Sequence, residues 1–281
     1  MAEISATAVK ALRERTNAPM MECKAALTEA GGDMDKAVDI IRKKIKDATD
    51  KRASRETAEG RIAIFADPVN KVGAILEMRC ESPPVAKTEL FVKLADDLAR
   101  QIAVKSPATV EELLGQPCVD DPSKTVQQRI SDVIGLIREN LRPARFKRLT
   151  GLVGGYVHHD GTIGVLVKVD GDSAEPQVLR DVAMHITAKN PVAVRREDIA
   201  PEILAKEKEI ALSQIAADPK NKNKPPNILE MIITGKLKAW YAENVLVDQI
   251  FVKDDTKTVG DLLKGSKLTM GEFARLRVGD L

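Results

Sequence analysis

An internal repeat constrains the fold of this chain more than any other feature of its sequence. Residues 94–107 align without gaps with residues 178–191, at an offset of 84, and both segments carry apolar residues at helical spacing. The strand-like run before each helix also repeats, 72–78 against 163–169, but at an offset of 91. The first copy therefore has seven more residues between strand and helix, and we place them in the Pro-Pro loop after Cys80. Loops held on a scaffold carry function more often than the scaffold does, so this loop is a candidate site.

Each copy is predicted to be an antiparallel β-hairpin followed by a helix that is apolar on one face. Turn-forming residues separate the paired runs, at 67–70 in the first copy and at 158–161 in the second. The apolar faces of the helices carry Phe91, Leu94, Leu98 and Ile102 in the first copy and Leu179, Val182 and Ile186 in the second. One-sided helices cover one face of a sheet, so the fold class is α+β with a duplicated core.

A second, shorter segment is also repeated, once after each copy of the first repeat. Residues 116–126 and 249–259 both end in Lys-Thr-Val before an apolar helical pattern. Thr125 and Thr258 are therefore candidate N-caps of two further helices.

Helical segments precede and interrupt the core. Residues 1–45 predict three short helices, with Gly31-Gly32 ending the second and Asp33 capping the third. The charged stretch from Arg42 to Glu59 predicts a solvated helix tail and linker. An αα-hairpin is predicted at 201–217 and 227–241. The expected organisation is a helical domain at 1–50, a linker at 51–59, core subdomains at 60–150 and 151–200, a helical hairpin at 201–244 and a C-terminal return to the core at 245–281.

Composition excludes several function classes. The 281 residues include 44 Lys+Arg against 42 Asp+Glu, a net charge of +2, and few aromatic residues, which disfavours a general nucleic-acid binder. Three widely spaced cysteines without a C-x-x-C pair argue against a zinc site or a disulfide scaffold and fit a reducing compartment. No apolar run resembles a membrane span or a signal peptide, so the protein is expected to be soluble and cytoplasmic.

Motifs for bond chemistry are also missing from the sequence, which favours a binding protein over an enzyme and predicts no cofactor. Met20 and Met21 cannot both point into one small bundle, so at least one is expected on the surface, where Met suits an adaptable contact. His185 flanks the apolar face of the second repeat helix, at the border between core and solvent. It is either an ordinary boundary histidine or a partner contact.

Short segments spread along the chain together match one family. They are Val9 to Thr16, Met20 to Leu27, Gly32-Asp33, Glu77 to Lys87 followed by Phe91, Glu139-Asn140, Tyr156 and His158 followed by Ile163 to Val167, Ala183 to Ile186, and Phe251 to Asp254 followed by Thr258-Val259. Through these segments the chain closely resembles the elongation factor Ts family. Its members are guanine-nucleotide exchange factors for elongation factor Tu in translation.

The resemblance implies a fold, a partner and a set of contact residues. The implied fold has a ubiquitin-associated (UBA)-like three-helix bundle, a duplicated core and a helical hairpin. Elongation factor Tu is the implied partner, with no direct nucleic-acid or membrane contact. Arg13, Met20 and Met21 match the family's N-terminal contact positions, and His185 matches its core histidine. The loop that loosens the magnesium and phosphate site of the GTPase matches Ser82, Pro83, Pro84, Val85, Ala86 and Lys87.

This loop departs from the usual family pattern, Thr-Asp-Phe-Val-Ala-Lys, because prolines replace a carboxylate and an aromatic ring. The prolines predict a stiff loop with Pro84 and Val85 as a blunt apolar tip. Exchange of nucleotide on elongation factor Tu is the function that the sequence favours. Two alternatives stay open: an exchange-impaired paralogue that binds elongation factor Tu as a chaperone or modulator, and an RNA-binding accessory that uses Lys43–Arg55 and Lys220–Lys224.

Overall fold

A computed structural model describes residues 4–218, 221 and 224–280. The helices are α1 (Ala6–Thr16), α2 (Met20–Glu29), α3 (Met34–Arg52), α4 (Glu89–Lys105), α5 (Val110–Gly115), α6 (Val126–Ile137), α7 (Pro176–Lys189), α8 (Pro201–Ala217), α9 (Pro226–Asn244) and α10 (Val259–Gly265). The strands are β1 (Glu59–Asp67), β2 (Val72–Cys80), β3 (Arg142–Thr150), β4 (Leu152–Val157), β5 (Ile163–Asp170), β6 (Ile250–Phe251), β7 (Asp254–Thr258) and β8 (Thr269–Arg277). Helices combine with antiparallel sheets, which confirms the α+β class.

Helices α1, α2 and α3 pack around a small apolar core of their own. Its largest members are Leu12, Leu27 and Ile41, which are almost fully buried. Asp33 caps α3 as predicted, because its side chain accepts hydrogen bonds from the amides of residues 35 and 36, each at 3.0 Å. The third helix does not stop near residue 45, however. It continues to Arg52, so the charged tail is helical and the segment that follows it before β1 is short, 53–58.

Strands β1, β2 and β3 form one antiparallel sheet, and β4, β5 and β8 form another. Helix α4 covers the first sheet and α7 covers the second, as their apolar faces predicted. The two sheets pack on each other through a further cluster, in which Ile75 of β2 meets Leu166 of β5. Both central strands are therefore buried on two faces. The sequence predicted only the hairpins, and the third strand of each sheet was missed.

The two sheets share their irregularities. The pairing of β2 with β3 shifts register between Glu77 and Met78, and the pairing of β5 with β8 shifts between Lys168 and Val169. These positions correspond at the offset of 91 found in the sequence. Helices α4 and α7 also end alike, because Ser106 and its counterpart at the offset of 84, Asn190, are both left-handed caps with φ of 51° and 46°.

The seven extra residues of the first copy do not all lie in the loop. Helix α4 has 17 residues and α7 has 14, and the two helices end at corresponding positions. Three of the extra residues therefore lengthen α4 at its start, three enlarge the connection that precedes it, and one lengthens β2 at its end. This corrects the expectation that the whole insertion is a loop.

Helices α8 and α9 form the predicted hairpin. Leu229, Ile233 and Trp240 of α9 are half-buried along the predicted seam, and no side chain of α9 is fully buried. Lys236 donates a hydrogen bond to Gln214 across the pair at 2.8 Å. The basic patch proposed at Lys220–Lys224 lies mostly outside the described residues.

Candidate functional site

The Ser82–Lys87 loop is anchored at its start by one carboxylate. Glu139, just after α6, accepts hydrogen bonds through Oε2 from the amides of Glu81 at 3.1 Å and Ser82 at 3.0 Å. Its Oε1 accepts a third from the Ser82 hydroxyl at 2.5 Å. Three hydrogen bonds to one charged group hold the loop more firmly than neutral contacts would. The sequence singled out Glu139 within a family pattern but gave it no role.

The middle of the loop is a single 3₁₀ turn over Val85–Lys87. Pro83 and Pro84 are exposed, whereas Val85 packs on the first core cluster and Ala86 is buried. The predicted exposed tip is therefore confirmed for Pro84 and wrong for Val85, which points towards the core. The apolar neighbour that does reach solvent is Leu90, on the first turn of α4. Leu90 immediately precedes the buried Phe91, so the helical pattern places Leu90 off the buried face of α4. Sequence analysis overlooked this signal.

A cysteine lies beneath the loop. The Cys80 thiol is buried and donates to the carbonyl of Ser82 at 3.3 Å. Burial, together with the nearby negative charge of Glu139, raises the pKa of the Cys80 thiol to about 12. The thiol is therefore neutral near pH 7, which makes it a packing group and a poor nucleophile.

The N-terminal candidates all lie on the surface of the bundle. Met20 and Met21 begin α2 and are 46% and 76% exposed. The sequence required one of them to be exposed, and both are, so Met20 does not join the buried face with Cys23 and Leu27. Arg13 is exposed on α1. Two adjacent exposed methionines form a flexible apolar patch that can pack against a partner.

His185 does not lie at the border between core and solvent. Its relative exposure is 0%, which contradicts the predicted boundary position. Its Nδ1 accepts from the amide of Val252 at 3.3 Å, so Nε2 carries the proton and donates to Gln249 Oε1 at 2.8 Å. Burial lowers the pKa of His185, against the opposing effect of the Gln249 hydrogen bond, which favours the neutral ring. His185 thus fastens α7 to the chain that returns from the helical hairpin.

The first repeat makes the same connection with a different residue. Gln101 aligns with His185 and is buried in α4. It accepts from the amide of Val119 at 2.8 Å and donates to Gln116 Oε1 at 3.2 Å. Val119 and Gln116 are the counterparts of Val252 and Gln249 in the shorter repeated segment. Thr125 and Thr258 cap α6 and α10 with matching capping boxes, as predicted.

Of the three histidines, those in the β4–β5 turn are the accessible ones. His158 is half-buried and His159 is exposed, with their rings 4.3 Å apart. The Tyr156 hydroxyl lies 3.3 Å from Nδ1 of His158, and the Arg180 guanidinium lies 5.7 Å from the Tyr156 ring centre. Sequence analysis included Tyr156 and His158 among the segments that match the family but gave this turn no contact role. Its exposed ring surface is a better contact site than the buried His185.

The structure connects the N-terminal patch with the loop and separates His185 from both. Glu22, next to Met21, pairs with Arg138 at 3.3 Å, and Arg138 precedes the loop anchor Glu139. His185 lies in the second sheet unit, and its hydrogen bonds stay within that unit. Among the residues that the structure describes, no helix is long and apolar enough to cross a membrane.

Comparison with known proteins gives one consistent result. The family model for elongation factor TS matches residues 81–280 of the chain. Elongation factor Ts of Clostridium kluyveri is 38% identical over 99% of this chain and 93% of its own length. At the same coverage, elongation factor Ts of Clostridium perfringens is 40% identical and that of Clostridium botulinum is 37% identical.

Proposed function

Because the chain belongs to the elongation factor Ts family, we propose that it is a guanine-nucleotide exchange factor that promotes GDP release from bacterial elongation factor Tu. The observation that carries the proposal is the pairing of an exposed methionine patch with an exposed, anchored loop, joined through neighbouring residues. Both surfaces are available to one partner. The site of action is the cytoplasm, where bacterial translation takes place.

The chain acts by binding and makes or breaks no bond. It binds the nucleotide-free GTPase more tightly than the loaded form, and linkage then requires that nucleotide bind more weakly in the complex. Each ~1.4 kcal/mol of this difference lowers nucleotide affinity tenfold. Exchange therefore depends on contacts that fit only the emptied GTPase.

The anchored loop is suited to supply such contacts. Glu139 and the fixed φ of Pro84 order it before docking, so less conformational entropy is lost on binding. Pro83, Pro84 and Leu90 present a short apolar surface. Lys87 is exposed and takes part in no ion pair within the described part of the chain, so its charge is free to compete for a phosphate group.

His185 serves this function from a distance, as a positioning residue. Its two hydrogen bonds fix the segment that joins the helical hairpin to α10. The histidines that contact the partner are those of the β4–β5 turn, the half-buried His158 and the exposed His159. The N-terminal contacts come from Arg13, Met20 and Met21.

Two statements about the fold accompany the functional proposal. The helices α1 to α3 form a UBA-like bundle, supported by three short helices around one small core. The two sheet units descend from one duplicated unit. Their equal register shifts, matching helix caps and matching hydrogen bonds of Gln101 and His185 support common descent.

Release of fluorescently labelled GDP from elongation factor Tu tests the proposal. A substoichiometric amount of the chain should accelerate release of all bound GDP, because an exchange factor turns over. Binding without faster release would instead identify a chaperone or modulator, the alternative that Pro83 and Pro84 motivated. Tight, salt-sensitive RNA binding without affinity for elongation factor Tu would identify an RNA accessory.

A further inference from the structure

Three consecutive residues after α6 contact three separate parts of the molecule. Arg138 pairs with Glu22 of the bundle, and Glu139 holds the start of the Ser82–Lys87 loop. Asn140 reaches the segment that links α3 to β1. Residues 138–140 therefore join the bundle, the linker and the loop.

Asn140 is the buried member of this trio. It is 5% exposed, and its side-chain amide donates to the carbonyls of Ala53 at 3.3 Å and Arg55 at 2.9 Å. Its backbone amide donates to Glu81 Oε1 at 2.6 Å. The same carboxylate lies 3.5 Å from the Arg55 guanidinium, so linker and loop also meet directly.

The backbone conformation explains how neighbouring residues point to different elements. Arg138 is the C-cap of α6 with φ of 67°, in the left-handed region, and its amide bonds to the carbonyl of Ile134 at 2.7 Å. This turn ends the helix abruptly, so Arg138 faces α2 while Glu139 and Asn140 face the start of the loop and the linker.

The bundle needs such a connection to keep one orientation. It is tied to the core through the linker and through α3, where the absence of a side chain at Gly135 lets Ile45 approach α6. Relative motion is the default for two units of one chain unless a large apolar interface joins them. Directional hydrogen bonds to the linker backbone restrict that motion.

We propose that Arg138, Glu139 and Asn140 form a positioning joint that fixes the methionine patch relative to the loop, so that both engage the GTPase in one step. This inference rests on the proposed exchange function. Two surfaces held at the correct separation bind with a higher effective concentration than two that move independently. The joint residues lie between the contact surfaces and are not themselves required to touch the partner.

The first test measures the joint in the free protein. Dyes or spin labels at Lys24→Cys and Lys147→Cys report the distance between bundle and core, since both positions are exposed and the native cysteines are buried. Asn140→Ala and Arg138→Glu should each broaden the distance distribution. Adding Glu22→Arg to Arg138→Glu should narrow it again by restoring the ion pair with reversed signs.

The matched control is Gln101→Ala. Gln101 is a buried side-chain amide like Asn140, but its hydrogen bonds stay within the first core unit. It should lower stability without broadening the distribution. Arg138 and Glu22 are exposed, so the charge-reversal variants should fold even where Asn140→Ala does not.

The second test measures GDP release at subsaturating concentrations of the chain. Arg138→Glu should slow release by about two- to fivefold, the range that an exposed ion pair supports, and Glu22→Arg in that background should restore it. An unchanged distance distribution in Asn140→Ala and Arg138→Glu would overturn the joint. So would a broadened distribution with undiminished release. If the wild-type chain did not accelerate GDP release from elongation factor Tu, the proposed exchange function would fail. The distance measurement in the free protein would still test the joint independently.

Discussion

The methionine patch makes the most direct prediction about affinity. Replacing Met20 and Met21 together by alanine removes two thioether side chains that are 46% and 76% exposed in the free protein. Neither belongs to the buried core of the bundle, so the free energy of unfolding should change by less than about 0.5 kcal/mol. A loss of affinity would then report lost contacts and not lost folding.

The expected loss of affinity follows from the exposed fractions. Full burial of a methionine side chain contributes about 1.5–3 kcal/mol. Complex formation can bury roughly three quarters of that for Met21 and roughly half for Met20, a total of about 2–3.5 kcal/mol. The dissociation constant for elongation factor Tu should therefore rise by about 30- to 300-fold.

Isothermal titration calorimetry with nucleotide-free elongation factor Tu measures this change. Met231→Ala is the matched control, because Met231 is also an exposed helical methionine, at 69%, but lies on α9 away from the patch. It should leave the affinity within about threefold of wild type. An equal affinity of the double variant and the wild type, with both folded by circular dichroism, would refute the assignment of the patch.

Three further predictions concern His185, the loop and the buried thiol. His185→Ala should lower the free energy of unfolding in urea by about 2–4 kcal/mol, because it leaves a cavity and two unpaired partners. Since burial lowers the pKa of His185, its neutral form stabilises the fold: this contribution is complete above the ordinary value of 6.5 and is lost as pH falls towards the folded pKa. The alanine variant should lack that loss of stability at low pH. An unfolding free energy that depends on pH in the same way in the variant and the wild type would contradict this. Pro83→Asp with Pro84→Phe should accelerate GDP release while changing affinity by less than about threefold, whereas slower release would show that exchange does not need a carboxylate and a ring. Cys80 should not react with a thiol reagent in the native state at pH 8, because its pKa is raised from 9.0 to about 12. The stability that the neutral thiol contributes is lost only as pH rises through that interval. Labelling of Cys80 that is faster than global unfolding would contradict this prediction.

The main outline of the fold was readable from local patterns. Phe91, Leu98 and Val182 lie on predicted helix faces and are buried. Asp33 and Thr258 cap the predicted helices. These features depend on neighbours close in sequence, which is why periodicity and capping chemistry revealed them.

Features set by distant contacts were not readable. Strands β3 and β8 pair with β2 and β5, and their own alternation is weak because each lies at a sheet edge with only partial burial. His185 stood beside an apolar face in the helical pattern, but the segment at 249–252 folds over it. Helical periodicity describes the faces of a single helix and cannot show that another segment packs over one of them.

The candidate site shows the same division. The exposed Pro84 and at least one exposed methionine at 20–21 followed from residue chemistry, and the resemblance pointed to the same loop and the same pair. The inward packing of Val85 and the anchoring by Glu139 required knowing that residues more than fifty positions apart meet at the loop. Only the folded arrangement contains that information.

The central claim is a coupling between two binding events, and one measurement addresses it most directly. The dissociation constant of the chain should be determined for nucleotide-free elongation factor Tu and for elongation factor Tu saturated with GDP, under identical salt and magnesium. Coupling predicts binding to the GDP-saturated form that is weaker by at least about tenfold, and linkage requires GDP affinity to fall by the same factor in the complex. Equal dissociation constants for the two forms would contradict an exchange function, however tight the binding.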